Sequence, residues 1–305
     1  MDQREEVAIL GAGPAGIAAA IYLKRAGFSP ILFEKQQPGG LLRHAFLVEN
    51  YPGFPRGITG TKLADLFAKH LQKIGVAITK SEVKRVDHQN AGFCVKTDNG
   101  VFVSSAIIIA SGTNPKKIQI TGAALFEGTR LFYEPSSIPL KETAGKKRIL
   151  VIGGGDIAFD YSLTLLEWGH EVTILCRSEP VCLPLLKKRV LQKKATLHVM
   201  CVPQKIWKNH KGLLLQCQQQ DQIMEHSADF ILVACGRDQN ISFLPPNLTK
   251  YFDNKRDFPQ TSLPGLYVAG DVVRGTYRQT GVAVGDGIHA AMMVQKYLKE
   301  KAGVS

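Results

Sequence analysis

No two of the six cysteines in this 305-residue chain are separated by two residues. The sequence therefore offers neither a redox dithiol nor a zinc knuckle of the Cys-x-x-Cys kind. Cys94, Cys176, Cys182, Cys201, Cys217 and Cys235 fall mostly in apolar, strand-like stretches and read as buried, reduced thiols. Long apolar runs are missing too. The first one, Val7-Ala8-Ile9-Leu10, is only a strand long and follows a start charged with both signs. A secretory leader or a membrane span needs a longer apolar segment, so a cytoplasmic location is expected. Acidic residues are fewer than basic ones, 26 against 38, which leaves a formal charge of +12 and raises the question of nucleic acid. The excess is not concentrated: residues 115–244 hold 17 basic and 12 acidic side chains, the rest 21 and 14. A diffuse positive field suits an anionic nucleotide or an acidic protein partner as well as RNA. The densest run, Lys187-Lys188-Arg189 with Lys193-Lys194, reads as the solvated face of a helix.

What the sequence does contain is organised around Val7 to Glu34. An apolar run of the kind a buried parallel strand needs feeds directly into Gly11-Ala12-Gly13-Pro14-Ala15-Gly16. Gly11 permits a tight turn, Gly13 removes the Cβ that would hold a pyrophosphate off the backbone, and Gly16 lets the next helix pack closely on the strand. The N–H groups at that helix start face an anion. After an alanine-rich helix over Ile17 to Ala26, the chain turns at Gly27 and reaches Glu34, the acid expected to hold a ribose hydroxyl. The device recurs at Arg148-Ile149-Leu150-Val151-Ile152-Gly153-Gly154-Gly155-Asp156-Ile157-Ala158, with a second strand at Glu171 to Leu175. Two strand-embedded dinucleotide motifs, with 45% apolar residues, predict two α/β domains of the Rossmann kind.

In chain order, Thr61 to Gly75 has helical periodicity, and Val76 to Val103 alternates as short strands with a turn at Asp98-Asn99-Gly100. Ala106 to Ala110 is a fully apolar strand stopping at Ser111-Gly112, where backbone could approach a ligand, and Asp229 to Cys235 is its counterpart, ending at Gly236. A Pro- and Ser-bearing linker, Glu134 to Gly145, precedes the second motif. From Pro245 the character changes again, through Gly265 to Asp271 and Tyr277-Arg278-Gln279, to a helix from about Gly281 to Leu298. These boundaries predict a discontinuous first domain, 1–114 with 245–305, and a second domain, 115–244, inserted in it.

Taken together these motifs resemble the thioredoxin-reductase-like branch of the two-dinucleotide-binding flavoproteins, over nearly the whole chain. The resemblance implies that the first motif binds FAD, through Gly11, Gly13, Pro14, Ala15, Gly16, Glu34 and Lys35, with Gly112 at the neighbouring strand end. It implies that Gly39-Gly40-Leu41-Leu42 and Glu49-Asn50-Tyr51-Pro52-Gly53 line the flavin, and that Ala269-Gly270-Asp271 with Arg278-Gln279 support its ribityl chain and ring. NADP would take Gly153, Gly154, Gly155, Asp156, Ile157, Arg177 and Gly236. Two departures stand out. Thioredoxin reductases carry Cys-x-x-Cys shortly before the second motif, whereas Leu131 to Ser137 has no cysteine; with Gly145-Lys146-Lys147-Arg148 and Gly153 to Tyr161 it looks more like the ferredoxin/flavodoxin–NADP reductases of the same branch, which also lack the dithiol. The branch usually follows the second strand with His-Arg-Arg-x-x-x-Arg, and here Cys176-Arg177-Ser178-Glu179-Pro180-Val181-Cys182 retains only Arg177. No acid stands at that strand end for a ribose diol, so NADPH is favoured over NADH.

Three functions follow as alternatives. The leading one is an NADPH- and FAD-dependent oxidoreductase, a homodimer, passing electrons to an acidic ferredoxin or flavodoxin or a small redox acceptor. The second is a disulfide reductase whose dithiol lies on the substrate or partner, or a flavoprotein fed by a protein or second flavin instead of NADPH. The third is a non-catalytic flavin-dependent binding or regulatory protein. No hydrolytic triad or metal is invoked; His44 and His289 read as polar or packing residues and Cys176 as a buried thiol.

Overall fold

The computed structural model describes residues 3–89, 92–140, 143–210, 212–252 and 259–303; within the expected linker, residues 141–142 lie outside this set. The chain divides into two compact units, Met1–Arg43 with Val48–Asn114 and Gln239–Ser305, and His44–Leu47 with Pro115–Asp238.

In the first unit β1 (Gln3–Leu10) runs into α1 (Pro14–Arg25) and β2 (Pro30–Glu34), then α2 (Gly60–Lys73), β3 (Ile78–Lys80), β4 (Val83–Gln89), β5 (Gly92–Thr97) and β6 (Gly100–Ile109). The sheet order is β3-β2-β1-β6-β5-β4. β1 lies parallel between β2 and β6, and both of its faces are covered, which is why Val7 to Leu10 form an unbroken apolar run rather than an alternating one. α1 opens with Pro14 at its first position and carries alanines on its packed side.

A short β7 (Thr113–Pro115) precedes the second unit, where β8 (Leu131–Phe132), β9 (Arg148–Ile152), α3 (Asp156–Glu167), β10 (Glu171–Leu175), α4 (Pro184–Gln192) and β11 (Thr196–His198) follow in order. Next come β12 (Cys201–Asn209), β13 (Gly212–Gln219), β14 (Gln222–Ala228) and β15 (Phe230–Val233). A parallel sheet, β11-β10-β9-β15-β8, repeats the βαβ arrangement of the first unit, and β12-β13-β14 forms an antiparallel meander.

After β16 (Arg237–Gln239) and α5 (Pro246–Thr249), β17 (Leu266–Val268) joins β6 in parallel and α6 (Thr280–Lys301) closes the first unit. α6 meets α1 at Gly287, where a Cβ would lie 2.0 Å from the Ala15 carbonyl oxygen; only a glycine lets the helices cross this closely. The result is the expected pair of Rossmann-like α/β domains, the second inserted in the first.

Candidate functional site

The first unit gathers its motif residues at the carboxyl end of β1, where an open α/β sheet places its ligands. Gly11 has φ +104°, and a Cβ there would sit 2.5 Å from the Ala110 carbonyl oxygen. A Cβ on Gly16 would fall 1.9 Å from the Gly11 oxygen. Both positions are closed to any side chain. Gly13 differs: it has extended backbone, and a Cβ would meet nothing within 4 Å. It therefore faces open space in front of α1, whose N-terminus has no side-chain cap and no acid in its first turn. Such an end is built for an anion.

Glu34, at the end of β2, is fixed by two backbone donors: the Ala12 N–H to Oε2 and the Gln36 N–H to Oε1, each at 2.9 Å. Each oxygen keeps a second lone-pair direction for a ribose hydroxyl. Beside it a cleft of about 290 Å³ is lined by Gly11, Lys35, Ser111, Asn114 and Asn240 among others. Lys35 pairs with Glu82 at 3.6 Å, and the Gly112 carbonyl accepts the Asn240 N–H at 3.0 Å. The Gly39 N–H donates to the Ala12 carbonyl at 2.7 Å, and Gly40 comes close to Gly13, with Leu41 in the same 3-10 turn. On the α6 side the Gly270 N–H donates to buried Asp286, which also accepts from Arg274. Asp271 lies in that turn, followed by Arg278 and by Gln279, the α6 cap, whose Oε1 accepts from the Asn50 amide at 2.8 Å. The structure thus collects every FAD residue expected from the sequence in one unit. The uncapped helix end, the side-chain-free space at Gly13 and the fixed carboxylate fit an adenine dinucleotide.

The second unit repeats the design. Gly153 has φ +151°, with Ala234 oxygen 2.4 Å from a hypothetical Cβ, and Gly155 faces open space. Gly154 lies against Cys176, and Gly236, at φ +107°, stands beyond β15. Asp156 begins α3, but its Oδ1 accepts the Leu183 N–H at 2.7 Å, and Ile157 follows it in the helix. Arg177 is exposed beyond β10, close enough to Cys235 for its charge to act on that thiol. Cys176 is buried, donates to the Gly153 carbonyl at 3.3 Å and is pushed up by burial to about 11, an inert packing thiol.

Two features were not readable as functional from the sequence. Lys187 is half-buried on α4, and its charge acts on both Cys176 and Cys182, so a second cation stands near the strand end where the usual arginines are missing. Its only sequence signal was membership of a basic run. Second, the cysteine-free segment is not empty of chemistry. Glu134 Oε2 lies 3.1 Å from His44 Nε2, and Oε1 lies 3.6 Å from Arg237, whose side chain is 6% exposed. His44 Nδ1 is 3.2 Å from Ser136 Oγ. The hydrogen bond to His44 holds the Glu134 carboxyl below the usual carboxylate range. His289 is exposed on α6.

A family model described as pyridine nucleotide-disulphide oxidoreductase matches residues 5–287. Thioredoxin reductase 1, mitochondrial, from Arabidopsis thaliana is 30% identical, covering 96% of this chain and 83% of its own. Thioredoxin reductase from Escherichia coli O157:H7 is 28% identical over 97% of both chains. Among solved structures, Lactococcus lactis thioredoxin reductase superposes with a TM-score of 0.88 at 29% identity, covering 97% of this chain and 99% of its own. Among the described residues, no helix is long and apolar enough to cross a membrane.

Proposed function

Because the chain belongs to the pyridine nucleotide-disulphide oxidoreductase family and resembles its thioredoxin reductases, which use FAD and NADPH, we propose that it oxidises NADPH and delivers the electrons to an external acceptor without a dithiol of its own. The acceptor class is an acidic electron-transfer protein of the ferredoxin or flavodoxin kind. One observation carries this reading: where the related reductases have Cys-x-x-Cys, Glu134 stands as a carboxylate between His44 and Arg237. Thiol–disulfide exchange needs a reachable thiolate to form the mixed disulfide. Cys201 and Cys217, whose sulfurs lie close together, are 0% exposed and cannot meet a partner's disulfide, and exposed Cys235 has its thiol pushed up by desolvation.

When bound, FAD supplies the two-electron chemistry between nicotinamide and acceptor. This chain's residues do the positioning. Gly13 and the α1 N-terminus receive the pyrophosphate, with Pro14 and Ala15 shaping the turn, and Glu34 holds the ribose. Gly39, Gly40, Leu41 and Asn50 line the flavin, and Gly270, Asp271, Arg278 and Gln279 support it. In the second unit Gly153, Gly154, Gly155, Asp156, Ile157 and Gly236 form the nucleotide cradle, and Arg177 and Lys187 grip the 2′-phosphate that separates NADPH from NADH. A homodimer is the expected assembly, to be tested by light scattering.

Relatives named thioredoxin reductase favour a second reading, a disulfide reductase whose dithiol lies on the partner. NADPH-driven turnover with ferredoxin, flavodoxin, thioredoxin and low-molecular-weight disulfides, each over a salt series, separates the two. The formal charge of +12 steers acidic partners, and that attraction is screened as the Debye length falls from ~10 Å at 0.1 M salt to ~3 Å at 1 M. Ferredoxin or flavodoxin reduction should slow steeply with salt; ferricyanide turnover, which carries its own separate charge dependence, is run as the control. Efficient thiol production without ferredoxin or flavodoxin activity would replace the leading reading with the second.

A further inference from the structure

Within the second unit, three side chains that nucleotide binding does not use lie together: Cys201 at the start of β12, Cys217 in β13 and His226 in β14. The register puts them on one face of the meander. Cys201 is opposite Gln219, and His226 is opposite Leu215, while Leu215, Cys217 and Gln219 alternate onto the same side of β13. Their sulfur and ring-nitrogen atoms all lie within 4.8 Å of one another, with Cys201 Sγ 3.9 Å from His226 Nε2.

A fourth donor adjoins them. His198 ends β11, and its ring centroid is 4.7 Å from that of His226. The chain passes from His198 to Cys201 through Met200, held at φ +55°, a conformation that a non-glycine residue adopts only at a cost. Two sulfurs and two imidazoles on neighbouring strands are the donor set of a borderline-soft divalent ion, in the Cys₂His₂ combination that structural zinc sites use. Ligand atoms around a tetrahedral zinc ion stand about 3.3–3.8 Å apart, so Cys201, Cys217 and His226 close on an ion with movements of about 1 Å, while His198, outside that 4.8 Å group, must turn its ring toward it. Charge agrees with burial: two thiolates and one zinc ion sum to zero, as a site inside 0%-exposed cysteines requires.

We propose that Cys201, Cys217 and His226, with His198 as fourth donor, form a structural site for one zinc ion that ties the β12-β13-β14 meander to the end of β11. On binding, the ion displaces the Cys201 and Cys217 thiol protons to solvent, and no electron is transferred. The proposal is independent of the acceptor, since it concerns neither nucleotide cradle.

The test uses untagged, full-length, flavin-loaded protein from zinc-supplemented cells, gel-filtered and analysed for metal by mass spectrometry. About one zinc per chain is expected, with loss of that zinc in Cys201→Ser, Cys217→Ser and His226→Ala and retention in Cys94→Ser. Because the buried variants could misfold, zinc-edge X-ray absorption on the unmodified protein gives a second readout, with two sulfur and two nitrogen neighbours expected. Wild-type protein that holds no more zinc than Cys217→Ser, a coordination shell without sulfur, or a Cys201–Cys217 disulfide in zinc-grown protein would each overturn the proposal.

Discussion

Gly13→Val is expected to release FAD while leaving the fold standing, a separation that the geometry of the first motif makes specific. The backbone at Gly13, φ −75° and ψ −178°, is open to any residue, and an added Cβ meets no heavy atom within 4 Å. The protein therefore does not need glycine there for its own sake; exchanging a helix N-cap glycine for an apolar residue costs on the order of 1 kcal/mol. Gly16 is the contrast, because its Cβ would press to 1.9 Å on the Gly11 carbonyl, a backbone atom that cannot move without the strand. Gly16→Ala should cost ~1–3 kcal/mol of stability or more through overpacking. For binding the ranking inverts. A valine at position 13 fills the space in front of the α1 N-terminus, and each charge-assisted bond to a phosphate oxygen lost there is worth ~1.5–3 kcal/mol, or about ten- to a hundredfold in affinity. Thermal melting of the apoproteins by circular dichroism and FAD titration by flavin fluorescence read the two effects separately. Full flavin retention by Gly13→Val, or a melting loss as large as that of Gly16→Ala, would refute this account of the cradle.

Arg177→Ala and Lys187→Ala should each raise the KM for NADPH by about ten- to a hundredfold and leave NADH nearly unchanged, a charge-assisted contact to the 2′-phosphate being worth ~1.5–3 kcal/mol. Equal effects on both nucleotides would remove these residues from 2′-phosphate reading. Asp160 predicts a pH-dependent gain: burial raises its carboxyl to about 6 from 3.8, against the Phe46 N–H that donates to it at 2.8 Å. A raised folded value means that the ionised form costs stability above about pH 6, and that this cost fades as pH falls toward 3.8, where folded and unfolded chains are both protonated. Asp160→Asn keeps an acceptor for Phe46 and should stabilise by up to ~3 kcal/mol at pH 8 but not at pH 4, read as melting temperatures. A gain of the same size at both pH values would mean that the charge is not its source.

Which parts of this molecule were legible in the sequence follows from the range of the interactions that make them. β1 and β9 announce themselves because strands covered on both faces are apolar without interruption, and the glycines after them because sub-2.6 Å approaches of backbone oxygen at Gly11, Gly16 and Gly153 leave no alternative residue. Those are local facts, and they carried the fold and both dinucleotide motifs. α6 was legible in kind but not in extent: it runs Thr280–Lys301 rather than from about Gly281 to Leu298, since its last turn is polar and has no periodic signal. Contacts set by strand register or tertiary packing left no such trace. Cys201, Cys217 and His226 share no short spacing, and only the antiparallel order of β12, β13 and β14 brings them together. A search for paired cysteines two residues apart passes over them by construction.

The same reasoning applies to Glu134, which in the sequence was only a residue that is not cysteine. Its partners lie 90 residues upstream (134 minus 44) and 103 downstream (237 minus 134). What the absence of a dithiol left undetermined, the fold fills with a fixed carboxylate. A variant that removes this group tests whether it is a structural substitute or part of electron delivery. Glu134→Gln keeps the size and one acceptor but removes the negative charge that lies 3.6 Å from Arg237, whose side chain is 6% exposed. If the ion pair only holds the second unit together, melting temperature falls while NADPH-driven ferricyanide and ferredoxin rates, read well below the melt, stay unchanged. A loss confined to the protein acceptor, with ferricyanide turnover and flavin content unchanged, is the outcome expected if this segment serves acceptor delivery in the dithiol's place. Unchanged rates with every acceptor would show that the carboxylate replaces the dithiol in space alone.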